Sequence, residues 1–326
     1  QYENAQRAYL ETMQDITINV TNLFFTVLSA QENYRQSVAD YEDRKHLFEI
    51  AKKRLDLGTT TKSEVLQMEL SLLNAKMSVN STSLTLRTQL FSLFSYLRIV
   101  DYGDIELLPP YYMPEIEMNA EQVLDKAWTG SSHSIEQQLN LLESQRALAE
   151  AKANRGLQVE FRGRLGLSQS ANELPAAYRR LKDYETVGLT MTIPIYDWGM
   201  GRGKVRMAKT DVEITKTQIE QANIEFAHDV RTKVMQFNNQ AEQCKTSLRA
   251  QDIAAERYDI MKKRFENGSV TVTELNTAQE EFESAQHQYI SQLQQFWTDY
   301  YGIQKLTLYD FIRKENIGVN FNDLVN

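Results

Sequence analysis

Lys52-Lys53-Arg54-Leu55-Asp56-Leu57-Gly58 returns 210 residues later as Lys262-Lys263-Arg264-Phe265-Glu266-Asn267-Gly268. Three residues beyond each glycine stands a second shared signature, Thr61-Lys62-Ser63-Glu64 and then Thr271-Val272-Thr273-Glu274. A glycine in the left-handed conformation ends one helix. A threonine then caps the next, while a glutamate three residues on reaches back to the amide of the cap. Each copy therefore reads as a tight helical hairpin.

The helices on either side carry matching apolar seams. After the turns, Val65, Met68, Leu72, Ala75 and Val79 align with Leu275, Ala278, Phe282, Ala285 and Tyr289. Before the second turn the seam includes Val212, Ile219, Phe226, Val230, Val234, Phe237, Ala241, Cys244, Leu248, Ala255, Tyr258 and Phe265, so one helix extends from about Arg202 to Asn267. Phe226, Val230, Val234 and Phe237 make an eleven-residue step within the heptads, and Ile16, Val20, Phe24 and Val27 repeat it 210 residues earlier. Such a step relaxes the left-handed supercoil that heptads impose, so the bundle should straighten at that level in both copies. Heptads alone would suit an ordinary coiled coil. The other faces are instead rich in amides (Gln218, Gln221, Gln236, Asn238, Asn239, Gln240, Gln243) rather than paired charges. That pattern suits a helix with neighbours on two sides and water on a third.

Between the hairpins the period changes to two. Leu157, Val159, Phe161, Leu165 and Leu167 alternate with Gln158, Glu160, Arg162, Arg164 and Ser168. Val187, Leu189, Met191, Ile193 and Ile195 alternate with Thr186, Gly188, Thr190, Thr192 and Pro194. Strict alternation predicts two strands, each with an apolar and a polar face, joined by the polar Gln169–Lys182 segment containing Pro175. Two strands are not stable alone. Their apolar face either covers a soluble core or meets lipid while the polar face lines water. The strand length and the flanking aromatics (Phe161, Tyr178, Tyr184, Tyr196, Trp198) favour lipid. Closing such a sheet needs strands from other subunits. Subtracting 210 puts the counterpart of this ribbon at about −53 to −14, so the expectation is that the N-terminal part of the duplicated fold is absent.

Composition sets outer limits. The chain has 326 residues with 13 glycines and 5 prolines, few breakers for its length and hence long elements. Mean hydropathy is −0.50, and no stretch approaches the roughly 18 apolar residues of a membrane helix. A β-barrel escapes that test, because alternating strands average out. The net charge of −8 argues against a nucleic-acid partner. The single cysteine, Cys244, excludes an intrachain disulfide and suits a helix seam. The opening QYENAQRAYL carries no signal-peptide pattern, so it names no compartment.

Chemical sites are sparse. Gly199-Met200-Gly201-Arg202-Gly203 follows a strand and opens a helix, but the dinucleotide pattern would need glycine at Lys204, and a strand-to-helix elbow fits better. His46, His133, His228 and His287 lack metal-ligand spacing and read as solvated. Carboxylate pairs such as Glu280-Glu281 sit on polar helix faces. No nucleophile constellation is present. The expectation is a protein that is not an enzyme, without cofactor or metal.

The duplicated tips, Arg54…Gly58…Glu64 and Arg264…Gly268…Glu274, together with the strand ending Ile193-Pro194-Ile195-Tyr196-Asp197-Trp198-Gly199, resemble the TolC-like outer membrane efflux protein family. The resemblance covers nearly the whole chain to about Phe311. It implies a mainly α fold with a small β part: long antiparallel helical hairpins forming an α-barrel, plus a β-hairpin contributed to a trimeric transmembrane β-barrel. The parts would be a first hairpin (1–97, tip near 58), an equatorial segment (98–132), a helix (133–156), the transmembrane β-hairpin (157–196), a second hairpin (197–304, tip near 268) and an equatorial tail (305–326).

The resemblance further implies a homotrimeric, passive export duct in the outer membrane of a Gram-negative bacterium, extending into the periplasm. It would serve tripartite efflux or type I secretion beside a periplasmic membrane-fusion adaptor and an inner-membrane pump. Arg54, Leu55, Gly58, Arg264, Phe265 and Gly268 would form the entrance tips that take the adaptor. Glu64 and Glu274 match an acidic entrance position, and their ordinary role is helix capping. Where the family has a second acidic position one turn later this chain has Thr277, which implies a more weakly charged gate. The alternative is a soluble periplasmic coiled-coil scaffold whose short sheet caps a helical bundle. Drug, metal and protein substrates all remain open.

Overall fold

The computed structural model describes residues 2–100, 103, 105–108, 113–168, 182–193 and 197–319. The loop expected between the strands, the Pro194–Tyr196 part of the strand-end motif and the tail beyond 319 lie outside the described residues. The elements in chain order are α1 (Tyr2–Asp56), α2 (Lys62–Tyr96), α3 (Ala120–Gly130), α4 (His133–Ala153), β1 (Gln158–Ser168) and β2 (Lys182–Thr192). They continue with α5 (Met200–Glu266), α6 (Val272–Thr307), β3 (Tyr309–Asp310) and β4 (Glu315–Asn316). The fold is mainly helical with a small β part, as the periodicities predict. It divides into two compact units, one of residues 133–226 and one of residues 2–132 with 227–319.

In the first unit, β1 and β2 pair antiparallel with Val159 opposite Met191, Phe161 opposite Leu189 and Gly163 opposite Val187. This register puts all the apolar positions on one face. Towards the far end the same face becomes mixed, because Leu165 meets Glu185 and Leu167 meets Asp183. The apolar side chains are uncovered, from 56% exposed at Val159 to 85% at Leu165. A contiguous bare face of this kind marks contact with a partner or a membrane. The glycine-rich elbow is capped by its own chain: Asp197 accepts from the Gly199 and Gly201 amides at 3.0 and 2.6 Å, which fills the site a phosphate would need. One expectation is corrected here. His133 is not solvated but stacks on Phe226, ring centroids 4.2 Å apart, and its Nε2 lies 3.1 Å from Asn223 Oδ1.

The second unit contains both helical turns. Close to them, Leu47, Phe48, Ala51, Met68, Phe265 and Leu275 form one apolar cluster. Further along, Phe25, Leu28, Cys244, Ile290 and Leu293 form another. Burial pushes the Cys244 thiol up to about 11, so it behaves as an inert apolar group. Phe237, Phe296 and Tyr300 pack together, with the Phe237 ring 5.1 Å from Phe296 and 6.2 Å from Tyr300. Burying side chains of this size contributes about 1.5–3 kcal/mol each. Ile16 departs from the expected seam, being half-exposed. Its counterpart Phe226 lies under His133.

The segment before α3 is held by two side-chain amides, each of which bonds both the N–H and the C=O of one residue. Gln31 clamps Leu107 at 2.8 and 2.8 Å, and Asn238 clamps Met118 at 3.0 and 2.9 Å. Asn119 then caps α3 by accepting from the Glu121 and Gln122 amides. After α6 the chain turns at Asp310, whose Oδ1 accepts from the amides of Ile312 and Arg313 and from the Tyr300 hydroxyl. Gly130 sits so close to the Thr307 carbonyl that a Cβ would overlap it, whereas Gly302, inside α6, has open space. Gly130→Ala should therefore lower the melting temperature by forcing α3 off α6, at a cost of about 1–3 kcal/mol. Gly302→Ala should raise it, by up to about 1 kcal/mol of helix propensity. Thermal unfolding followed by circular dichroism reads both.

Candidate functional site

The two turns are built alike, as the sequence repeat predicts. Gly58 and Gly268 both take φ +72°. The Gly58 amide donates to the Leu55 carbonyl and Thr59 to Arg54, both at 2.9 Å. Gly268 donates to Phe265 and Ser269 to Arg264, again at 2.9 Å. These pairs satisfy the carbonyls that a helix end leaves open. Both capping boxes are complete. The Thr61 and Thr271 hydroxyls each accept from the glutamate amide at 3.3 Å, and the Glu64 and Glu274 carboxylates accept from the threonine amides at 3.1 and 2.7 Å.

Each glutamate uses one oxygen, Oε2, in its box; Thr60 also donates to Glu64, and the Thr271 hydroxyl to Glu274. These hydrogen bonds, with Arg54 and Arg264 nearby, hold both carboxyls below the ordinary glutamate range. Capping and an acidic solvent-facing edge are therefore compatible roles for one side chain. The other tip residues differ in environment. Leu55 is half-buried and Arg264 is exposed, while Phe265 is only 6% exposed and belongs to the apolar cluster. It props the tip from beneath. The Arg54 guanidinium crosses to the other turn, one terminal nitrogen lying 2.7 Å from where a Cβ on Gly268 would be. Only glycine admits that approach.

A polar network sits behind the tips, and sequence reading missed it. Arg44 donates to both oxygens of Asp40 at 2.8 and 2.9 Å, to Gln279 at 3.1 Å and to Asn276 at 3.3 Å, and it also bonds Ser71. Asp43 accepts from Lys262 at 2.6 Å and from the Tyr258 hydroxyl at 3.3 Å. Burial first, and then Asp43, push the Tyr258 hydroxyl far above its ordinary value, so it stays a donor. Further along, Gln286 reaches Glu32, Gln294 reaches Asn22 and Lys305 reaches Asp15. The α1/α6 seam thus combines amide and ionic contacts with the two apolar clusters.

Among the described residues no group of three or more His, Cys, Asp or Glu is placed to hold a metal ion, and no helix is long and apolar enough to cross a membrane. The sequence profile of the outer membrane efflux proteins matches residues 131–307, more than half of the chain. The chain belongs to this family. The match includes the ribbon and the second tip; the first tip lies outside it and stands on the internal repeat. No curated protein sequence matches the chain.

Solved structures match in fold. The Campylobacter jejuni CmeC outer membrane channel superposes with a TM-score of 0.69 at 15% identity, covering 99% of this chain and 68% of that one. The open state of the Neisseria gonorrhoeae MtrE outer membrane channel gives 0.70 at 13%, covering 98% and 71%. The Vibrio cholerae outer membrane protein VceC gives 0.63 at 14%, covering 94% and 71%. Family and fold together identify a TolC-like efflux channel protein and point to the outer membrane.

The lowered values of Glu64 and Glu274 carry a pH signature. Their stabilisation is complete above the ordinary glutamate value of 4.5 and is lost as the pH falls through the lower folded values. The melting-temperature difference between the native chain and Glu274→Gln should be constant above that value and shrink to nothing below it.

Proposed function

We propose that the chain is the outer membrane duct of a tripartite efflux or type I secretion system: a passive homotrimer that extends into the periplasm and docks an adaptor beside an inner-membrane pump. The observation that carries this reading is the bare ribbon. Its strands are 11 residues each, and tilted membrane strands need about 9–11. One face is apolar and uncovered, and the other carries Glu160, Arg162, Arg164, Thr186, Thr190 and Thr192, suited to a water-filled lumen. A two-stranded ribbon cannot close on itself, and strands from two further copies would supply the closure.

The tips form the periplasmic entrance in this reading. Arg54, Leu55, Gly58, Arg264 and Gly268 would meet the adaptor, with Phe265 holding the turn from below. Glu274, with Glu64 in the equivalent place, would give an acidic ring favouring cations. Its carboxylate keeps Oε1 outside the capping box, which supports the role. Thr277, one turn on, adds no charge. Such a duct needs little specific recognition of its cargo. Substrate choice would then belong to the pump and adaptor.

Two expectations test the reading. Leu189→Arg, at mid-strand on the apolar face, should block insertion into lipid vesicles, since an arginine near the bilayer midplane costs about 2–4 kcal/mol. Thr190→Arg, on the opposite face, should insert normally. A soluble scaffold would accept both equally. In planar bilayers, Glu274→Gln should lower the cation preference of the conductance, and unchanged selectivity would reject the lumen-facing assignment.

A further inference from the structure

The chain is acidic overall, yet its charge is unevenly spread. At the helix end of the ribbon, residues 151–156 and 197–210 hold six basic side chains, Lys152, Arg155, Arg202, Lys204, Arg206 and Lys209, against one acidic one, Asp197. All six basic residues are exposed. Just beyond this band, lysine and arginine pair with carboxylates again, Arg146 with Glu150 and Lys216 with Glu213. Among the described residues none of the six makes an ion pair, although Arg155 lies beside Asp197.

Two runs of the chain converge in the band. A Cβ on Gly201 would lie 3.2 Å from Arg155 Cγ, so the segment after α4 rests against the first turn of α5. On α5, Arg202, Arg206 and Lys209 recur at spacings of four and three and share one face. Gly201, Val205, Ala208 and Val212 take the more buried face beside it. The band also adjoins the ribbon. Gln158 pairs with Thr192 at the end of the sheet nearest the helices. Arg155 stands just before the one strand, and Trp198, 87% exposed, follows the other at the elbow. An exposed indole suits the boundary between acyl chains and headgroups. From Arg202 to Lys209 the helix rises about 10 Å, comparable with the roughly 5–8 Å headgroup layer on one side of a bilayer.

We propose that this basic band docks on the anionic phospholipid headgroups of the leaflet at the helix end of the ribbon. Arg155, Arg202, Arg206 and Lys209 meet the phosphates, and Trp198 sits at the acyl boundary. The contact rests on the membrane reading of the ribbon. A guanidinium fork matches two phosphate oxygens at once. The amides at the start of α5 take no part, because Asp197 already occupies them. Recognition by side chains spread along a surface suits a sheet of headgroups better than one enclosed anion. An acidic chain is otherwise repelled by an anionic leaflet, and the band reverses that sign only where the ribbon enters it. It thereby sets the depth at which strand gives way to helix.

Lipid titration of the full chain in a non-ionic detergent tests this, with dioctanoyl phosphatidylglycerol compared with dioctanoyl phosphatidylcholine and binding read by thermophoresis. The native chain should bind the anionic lipid at least about tenfold more tightly, since each basic residue near an anionic surface contributes about fivefold. The preference should fall as salt is raised. It should vanish in the joint variant Arg202→Gln, Lys204→Gln, Arg206→Gln and Lys209→Gln. The milder pair Arg206→Gln with Lys209→Gln should lower it about fivefold or more, and decides the matter if the joint variant misfolds. Excess inorganic phosphate should not compete; full competition would assign the band to soluble anions and overturn the proposal. Equal binding of the two lipids by the native chain, or a preference untouched in the folded variants, would overturn it too. Equal binding with a conductance made more cation-selective by the joint variant would place the basic face in the passage instead. Insertion into phosphatidylcholine vesicles is scored separately. A native chain that inserts but shows no lipid preference removes the headgroup contact alone, and one that inserts in neither lipid removes the membrane reading with it.

Discussion

A helix that must reverse within five residues needs one residue in the left-handed region, and at both tips that residue is a glycine with φ +72°. The rest of the second unit depends on these two reversals. Each fixes where one helix ends and, through the threonine and glutamate of its capping box, where the next begins. Once α1 and α2, and α5 and α6, are brought back side by side, their heptads meet in register. The apolar cluster of Leu47, Met68, Phe265 and Leu275 then forms directly behind the turns. A Cβ at either glycine would be strained, and at Gly268 it would also displace the Arg54 guanidinium.

Polar and apolar contacts share the seam between the hairpins. Beside the two apolar clusters there, amides and ion pairs also join the hairpins, with Arg44 and Asp40 only partly screened by solvent. Losing one partner there would strand another, so the seam is specific even where it adds little net stability. Further apolar surface is left outward, on the ribbon and on α2. For an isolated soluble chain that arrangement would invite aggregation. For a chain whose outward faces meet lipid and neighbouring copies it is the expected distribution.

Much of this was legible in the sequence because it is local. The left-handed glycines, the capping boxes, the two-residue period of the ribbon and the buried Cys244 each follow from a few adjacent residues. What escaped involves partners distant in sequence. Arg44 reads as half of an ordinary i,i+4 pair with Asp40, and nothing nearby announces Gln279 or Asn276. Gln31 and Asn238 look like solvated amides until Leu107 and Met118 are laid against them. His133 passes for a surface histidine because Phe226 is 93 residues away. Phe265 shares its repeat position with the half-buried Leu55 but turns into the core, a difference that the motif does not encode.

Electron cryomicroscopy of the full chain in lipid nanodiscs tests the account most directly, through the surroundings of residues 158–192. The account predicts three copies around one water-filled passage, with Val159, Phe161, Val187 and Leu189 turned outward to the acyl chains. A ribbon folded under helices of its own chain, or a map holding a single copy with no passage, would contradict it.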